Sequence, residues 1–357
     1  MNILFAMERR LDAGSIHALA NYARAGRKFG HRIALYGNPD PGYPEVPFST
    51  DLAGADFVVF IFESRLDWVP GLHLAYLLTR TPRSRRAIVD ADGMYNPLLL
   101  DEDYDRNHGS ERDQRRWLAA YGALADRIFQ PSLRPQQPGV SPLPFYGYDP
   151  RGVIAGGVGK RVDIMHLGHN WWRWRELGGR LLPALERVRD RFGDICFVGL
   201  WWDGPPAWAA QMGLEDAFRS DPDRLRALGV RILPAVPYRD VVATMSAAHI
   251  NIMTQRPLFR RLRLLTSKYF EVFQADTIPL VMLEHEHAAE VYGPAGRELV
   301  LCDDIAGKLR DVASRPWAYR EYAAAVREHL AAHHSYERRV EELVGSLAGD
   351  LPAARTG

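Results

Sequence analysis

The chain has 357 residues, 47% apolar and 25% charged, which marks a folded protein of two-domain size and excludes a disordered one. Its 45 basic and 44 acidic residues leave a net charge of +1, so it lacks the basic excess of a general nucleic-acid or membrane-surface binder. No apolar stretch reaches membrane-span length, the start lacks a signal-peptide pattern, and Cys196 and Cys302 sit in apolar runs; a cytoplasmic protein with buried free thiols is expected.

In chain order, NILFAM (2–7) reads as a first strand. The polar loop ERRLDAGS (8–15) follows and carries Glu8, Gly14 and Ser15. Ile16, Leu19, Ala20 and Ala23 then fall at helical spacing, with Ser15 as N-cap, His17 beside it and Gly30 as terminator. HRIALYG is the next strand. DFVVFIF (56–62) is continuously apolar, as a strand covered on both faces would be, and Glu63 stands at its end. GLHLAYLLT (71–79) reads as a helix, and RRAIVDADG as a strand ending in the acids Asp90 and Asp92. ERDQRRWLAAYGALADRIF (111–129) reads as one long helix. The alternation predicts a doubly wound parallel α/β sheet.

Residues 131–160 are rich in Pro and Gly and mark a linker, separating a first domain, 1–150, from a second, 151–315. The second half restarts the rhythm with VDIMHLG, DICFVGL, VRILPAV, HINIM and TIPLVM as strands and helical runs between them. Residues 316–357 close the chain as helices, broken at AHHSY (332–336). Two such units face each other across a cleft, and open parallel sheets bind ligands beyond the carboxyl ends of their strands.

Four stretches carry candidate chemistry. In HLGHNWWRWRELGGR (166–180) a strand passes through Gly168 into a loop with Arg173 and Arg175 that opens a helix, a setting that suits phosphate. A surface turn of Arg and Trp has the same composition. NIMTQRPLFRRLRLLTSKYFE (251–271) reads as a basic loop, including Arg256, that leads to Ser267 as N-cap and Lys268 in the first turn. Two neighbouring helix starts fit a diphosphate, although a solvated basic loop reads alike. Glu271 lies about one turn after Ser267 among Tyr269, Phe270, Val272 and Phe273. A carboxylate beside a core is costly unless paired, and a vicinal diol or Lys268 could serve as partner. LPAVPYRD (233–240) exits a strand into a Pro-bounded turn that can bond the edge of a flat base.

Read together, GVRILPAVPYRDVVATMSAAHINIM and SKYFEVFQADTIPLVM resemble the nucleotide-sugar half of GT-B glycosyltransferases, above all family 4-type enzymes and the spore-maturation CgeB-like group. FYGYDP resembles their linker element, LGHNWWRWRELGGRLLPAL their first βα loop, and HHSYERRVEEL the final helix that crosses back to the N-terminal domain. The likeness spans roughly residues 145–347. It implies an α/β GT-B fold of two Rossmann-like doubly wound parallel-sheet domains facing across a cleft. It also implies that Glu271 holds the ribose, that Ser267 and Lys268 meet the diphosphate with Arg175 and Arg173, and that Val236 and Tyr238 flank the base. Arg256 joins the donor side. Arg263 stands where the family has the first of two paired glutamates, and Asp276 where it has a turn glycine.

The implied activity is sugar transfer from a UDP- or GDP-type donor to a small-molecule or glycan acceptor, with no cofactor and no metal. Asp92, Asp90 and His17 are the candidate catalytic residues, and Glu8, Gly14, Ser15 and Glu63 the candidate acceptor-side residues. The expected partners are donor and acceptor, without nucleic acid and without an integral membrane segment, and a homodimer is compatible with such a chain. The alternatives are a nucleotide-sugar epimerase of the same fold and a non-catalytic two-domain binding protein.

Overall fold

The computed structural model describes residues 1–7, 14–63, 74–96 and 111–349, without the side chains of 111–114, 116 and 212. Glu8 lies outside the described residues. The first lobe is a seven-stranded sheet in the order β3-β2-β1-β4-β5-β6-β7. Its strands are β1 (Asn2–Met7), β2 (Arg32–Tyr36), β3 (Phe48–Ser49), β4 (Phe57–Phe62), β5 (Arg86–Asp90), β6 (Arg127–Gln130) and β7 (Val140–Pro142). The second lobe is a five-stranded sheet in the order β10-β9-β8-β11-β12, from β8 (Val162–Leu167), β9 (Ile195–Val198), β10 (Val230–Leu233), β11 (Ala248–Met253) and β12 (Ile278–Val281). Every pairing is parallel.

In each sheet the first strand is internal and the chain winds out to one side before returning to the other. This places the switch points between β1 and β4 and between β8 and β11, where open α/β sheets hold their ligands. The register levels the strand ends: Met7 pairs with Ile61 and Phe62 with Asp90. Glu63 and Asp92 therefore emerge side by side from the first sheet. Gly168 follows β8 and Arg256 follows β11 at the facing switch point.

Several elements differ from the sequence reading. The helix Glu111–Leu124 stops before Ala125, and Arg127–Gln130 is β6, not the end of that helix. The apolar run Ile128-Phe129 has no period of its own, and pairing with β5 and β7 decides it. The basic stretch after β11 is also not a plain loop. Pro257 opens a helix, Pro257–Leu262, that buries Leu258, Phe259 and Leu262. β3 and β7 are short edge strands with too few residues to show alternation, and β7 lies inside the Pro- and Gly-rich stretch.

The closing helices break at His334-Ser335. The helix Pro316–His333 holds the second lobe, where Arg327 donates to the carbonyls of Phe273 (2.7 Å) and Ala275 (2.8 Å). The helix Tyr336–Ala348 packs on the first lobe's helix Gly14–Lys28, with the Tyr22 and Tyr336 rings 5.7 Å apart and Lys28 paired to Glu337 at 2.5 Å. The tail thus ties the lobes together at the back of the cleft. No helix among the described residues is long and apolar enough to cross a membrane.

Candidate functional site

At the end of β8 the backbone at Gly168 is flanked by three nitrogen-bearing side chains. A Cβ there would lie 3.5 Å from His166 Nε2, 3.7 Å from Arg173 Cζ and 3.7 Å from Lys268 Cε. Gly199 makes the turn beneath possible: its φ is 150°, and a Cβ on it would fall 2.2 Å from the Gly168 carbonyl oxygen. Trp202 Nε1 donates to that oxygen at 2.9 Å. Lys268 Nζ donates to the Leu167 carbonyl (2.9 Å), and an Arg173 Nη donates to the His169 carbonyl. Neither cation makes an ion pair with a carboxylate among the described residues. Arg173 Nε is buried without a partner. Burial pushes the Lys268 amine down to about 8, with Glu271 opposing and Arg173 adding to the shift. Burial and Arg256 also lower Arg173, but a guanidinium is basic enough to stay charged. Two desolvated like charges with no direct ion pair are costly, Glu271 offsets part of that cost for Lys268, and an incoming anion offsets more.

His166 is enclosed below this cradle. Its Nδ1 lies 2.9 Å from the Ile252 carbonyl, which can only accept, so Nδ1 carries the proton. Burial and then Arg173 push the ring down to about 3, which keeps it neutral, and Nε2 is a buried acceptor with no partner. Arg175, by contrast, is exposed. Ser267 makes no side-chain cap bond to its helix Lys268–Gln274. Its hydroxyl faces the seam between lobes, where a Cβ on Gly14 would lie 2.7 Å from Ser267 Oγ and 3.3 Å from Tyr238 Cε2.

Glu271 is buried, and the Tyr238 hydroxyl donates to its Oε1. Val236 packs half-buried at the end of β10. His17 stacks its ring on Tyr238, with centroids 4.2 Å apart and planes at 10°, and its Nδ1 lies 3.5 Å from Glu45. That geometry makes His17 a packing contact between the lobes.

On the facing lobe, Glu63 receives hydrogen bonds from Ser15 Oγ (2.7 Å) and the Tyr146 hydroxyl (3.2 Å). Burial and then Asp92 raise its carboxyl to about 7, against the lowering effect of Ser15, Tyr146 and Arg256. Asp92 reaches across the cleft to Arg256, 2.8 Å from its Nη2. Asp90 is fully enclosed. It accepts from the Met94 and Tyr95 N–H groups (2.8 and 2.9 Å), from Tyr121 (3.1 Å) and from Gln130 (2.9 Å), and burial raises it to about 6. With its oxygens engaged inside the fold, Asp90 anchors the turn after β5 and is withdrawn as a base.

Sequence reasoning missed three features of this constellation. Tyr146 lies within FYGYDP, which reads as linker; its link to Glu63 exists only once the chain has folded back. His166 is an inward-facing strand residue, and only its proximity to Gly168 reveals the orphan acceptor. Glu63 was legible as a strand-end acid, but its environment was not.

The region 175–345 matches the family model described as glycosyl transferase-like. A comparison with curated proteins finds no match. Among solved structures, the chain is similar to an alpha-glucosyltransferase in complex with UDP, at 12% identity and TM-score 0.61, over 98% of this chain and 100% of that one. It is similar to the T4 phage BGT in complex with its UDP-glucose substrate at 10% identity and TM-score 0.57, over 97% and 99%. It is also similar to a DNA-modifying beta-glucosyltransferase, at 9% identity and TM-score 0.54, over 97% and 99%. Identities this low establish the fold, while the family match covers the lobe that carries Lys268 and Glu271. Residues 175–345 match the glycosyl transferase-like family model, and the chain as a whole has the GT-B fold of the glucosyltransferases it is similar to.

Proposed function

We propose that the protein transfers a sugar from a nucleoside diphosphate sugar, of UDP type, to a hydroxyl of a small-molecule or glycan acceptor. The observation that carries the reading is the pair of cations, Arg173 and Lys268, that make no direct ion pair among the described residues and stand beside Gly168, with a buried Glu271 one helical turn on from Lys268. In this arrangement Arg173 and Lys268 bind the diphosphate, Glu271 the ribose hydroxyls, and Val236 and Tyr238 flank the base. The leaving diphosphate develops charge as its oxygen parts from the sugar C1, and the two cations stabilise it. Their charge suits a reaction that needs no metal. The acceptor oxygen bonds to C1 and its proton passes to Glu63, whose raised pKa suits a base near neutral pH. Ser15 and Tyr146 hold that carboxylate in place, and Asp92 and Arg256 bridge the lobes beside it.

Calorimetric titration with UDP, GDP, ADP and TDP tests the donor side, with UDP expected to bind best and Glu271→Ala to weaken it. Incubation with UDP-glucose, with and without Mn2+, and with glycan, small-molecule or duplex DNA acceptors tests the rest. Transfer to a glycan or small molecule supports the reading. DNA as the sole acceptor overturns its acceptor half, and isomer exchange without transfer would make the protein an epimerase. Failure of every nucleotide to bind ends it.

A further inference from the structure

We propose that His285, Cys302 and Asp303 form a binding site for a transition-metal dication of the zinc class, built from residues other than those assigned to the transfer reaction. These residues come from two segments beyond the carboxyl end of β12. His285 opens the helix His285–Tyr292, and Cys302 and Asp303 follow the bridge between Val281 and Val300. One ligand atom from each lies within 4.8 Å of the others, and His285 Nε2 is 3.2 Å from Asp303 Oδ2. Two ligands held ~2.1 Å from a tetrahedral ion stand about 3.4 Å apart, so the hydrogen-bonded pair needs only a small outward shift to share an ion.

The donor set and its framing point the same way. One imidazole, one thiol and one carboxylate favour zinc, cobalt or nickel over magnesium or calcium, which prefer oxygen alone. Both segments are held by the backbone before any ion arrives. The Leu301 N–H donates to the Val281 carbonyl at 2.8 Å, Arg180 donates to the Cys302 carbonyl, and Asp304 accepts from the Gly307 N–H at 2.9 Å to start the next helix. The three side chains also line a cavity of about 370 Å³ that continues past Asp311 and Tyr319. Three protein ligands leave a fourth position for water or a ligand oxygen from that cavity. On binding, the Cys302 thiol gives its proton to the buffer and the thiolate coordinates the ion.

The test is titration of the chelator-stripped full-length protein with Co2+ and Zn2+. We expect one equivalent of Co2+ to bind, with a thiolate-to-cobalt charge-transfer absorption, and Zn2+ to displace it with loss of that absorption. Cys302→Ser should abolish the absorption, and His285→Ala should weaken binding at least ten-fold. Cys196→Ser, at a buried thiol elsewhere, should change neither. His285 is partly exposed, so its replacement leaves the fold intact, and a thermal melt without metal checks this. Absence of the absorption at saturating Co2+, or its persistence in Cys302→Ser, overturns the proposal. Nucleotide binding is measured in the same samples, so failure here leaves the reading of the cleft untouched.

Discussion

The hydroxyl of Tyr238 donates a hydrogen bond to the carboxylate of Glu271, and the ring of that tyrosine is stacked by His17 from the opposite lobe. The acid assigned to the ribose is therefore already partnered, by a group that a diol can replace. Glu271→Ala should weaken UDP binding by ten-fold or more, as loss of a hydrogen bond to a charged group costs about 1.5–3 kcal/mol. Tyr238→Phe should tighten it a few-fold, since the ribose no longer has a competitor. Calorimetry on both variants decides: equal affinity in wild type and Glu271→Ala removes the ribose role.

Lys268 predicts a pH dependence of donor binding. Its amine is lowered to about 8, so it is charged below that pH and neutral above it. UDP affinity should fall as pH rises through 8, and Lys268→Arg should flatten the profile. The stability sign is opposite. A lysine whose folded pKa lies below its unfolded one destabilises the fold at neutral pH and ceases to do so as pH rises past the unfolded pKa. Lys268→Met should therefore lose UDP affinity at least ten-fold without lowering the melting temperature at pH 7. A drop in both would make the lysine a structural element.

Glu63 sets the acid limb of turnover. As a base it acts when ionised, so the rate should fall as pH drops below about 7. Glu63→Gln should reduce turnover by about 10²–10⁴ while UDP binding stays within two-fold. Hydrogen bonds from Ser15 and Tyr146 stabilise the ionised form, so Ser15→Ala or Tyr146→Phe should move the limb to higher pH. A limb that stays in place in both variants would assign it to another group.

Asp90 is expected to matter for stability and not for chemistry. Asp90→Ala leaves four donors around it unmet, and a loss of about 2–4 kcal/mol in chemical denaturation is expected, with turnover per folded molecule retained. Unchanged stability with lost turnover would return it to the reacting side.

The amino-acid order alone determined the alternating strands and helices, the strand-end positions of Gly168, Glu63 and Asp92, and the place of Glu271 in the helix after Ser267. These follow from local periodicity, turn residues and short-range spacing, which act within a few residues. It could not tell Arg127–Gln130 from the end of a helix, because a four-residue apolar run has no period and only its neighbours in the sheet assign it. It could not rank Asp90 against Asp92 either. They are two residues apart, yet one faces the turn it anchors and the other faces Arg256, 164 positions away in sequence.

Only the tertiary structure decided which charges are left without partners. Arg173 and Lys268 meet because β8 and β11 are neighbours, and Glu63 is raised towards neutrality because the fold buries it and brings Asp92 beside it, against the opposing hydrogen bonds of Ser15 and Tyr146. Desolvation and Coulomb terms depend on distance in space, and sequence separation carries almost none of that information.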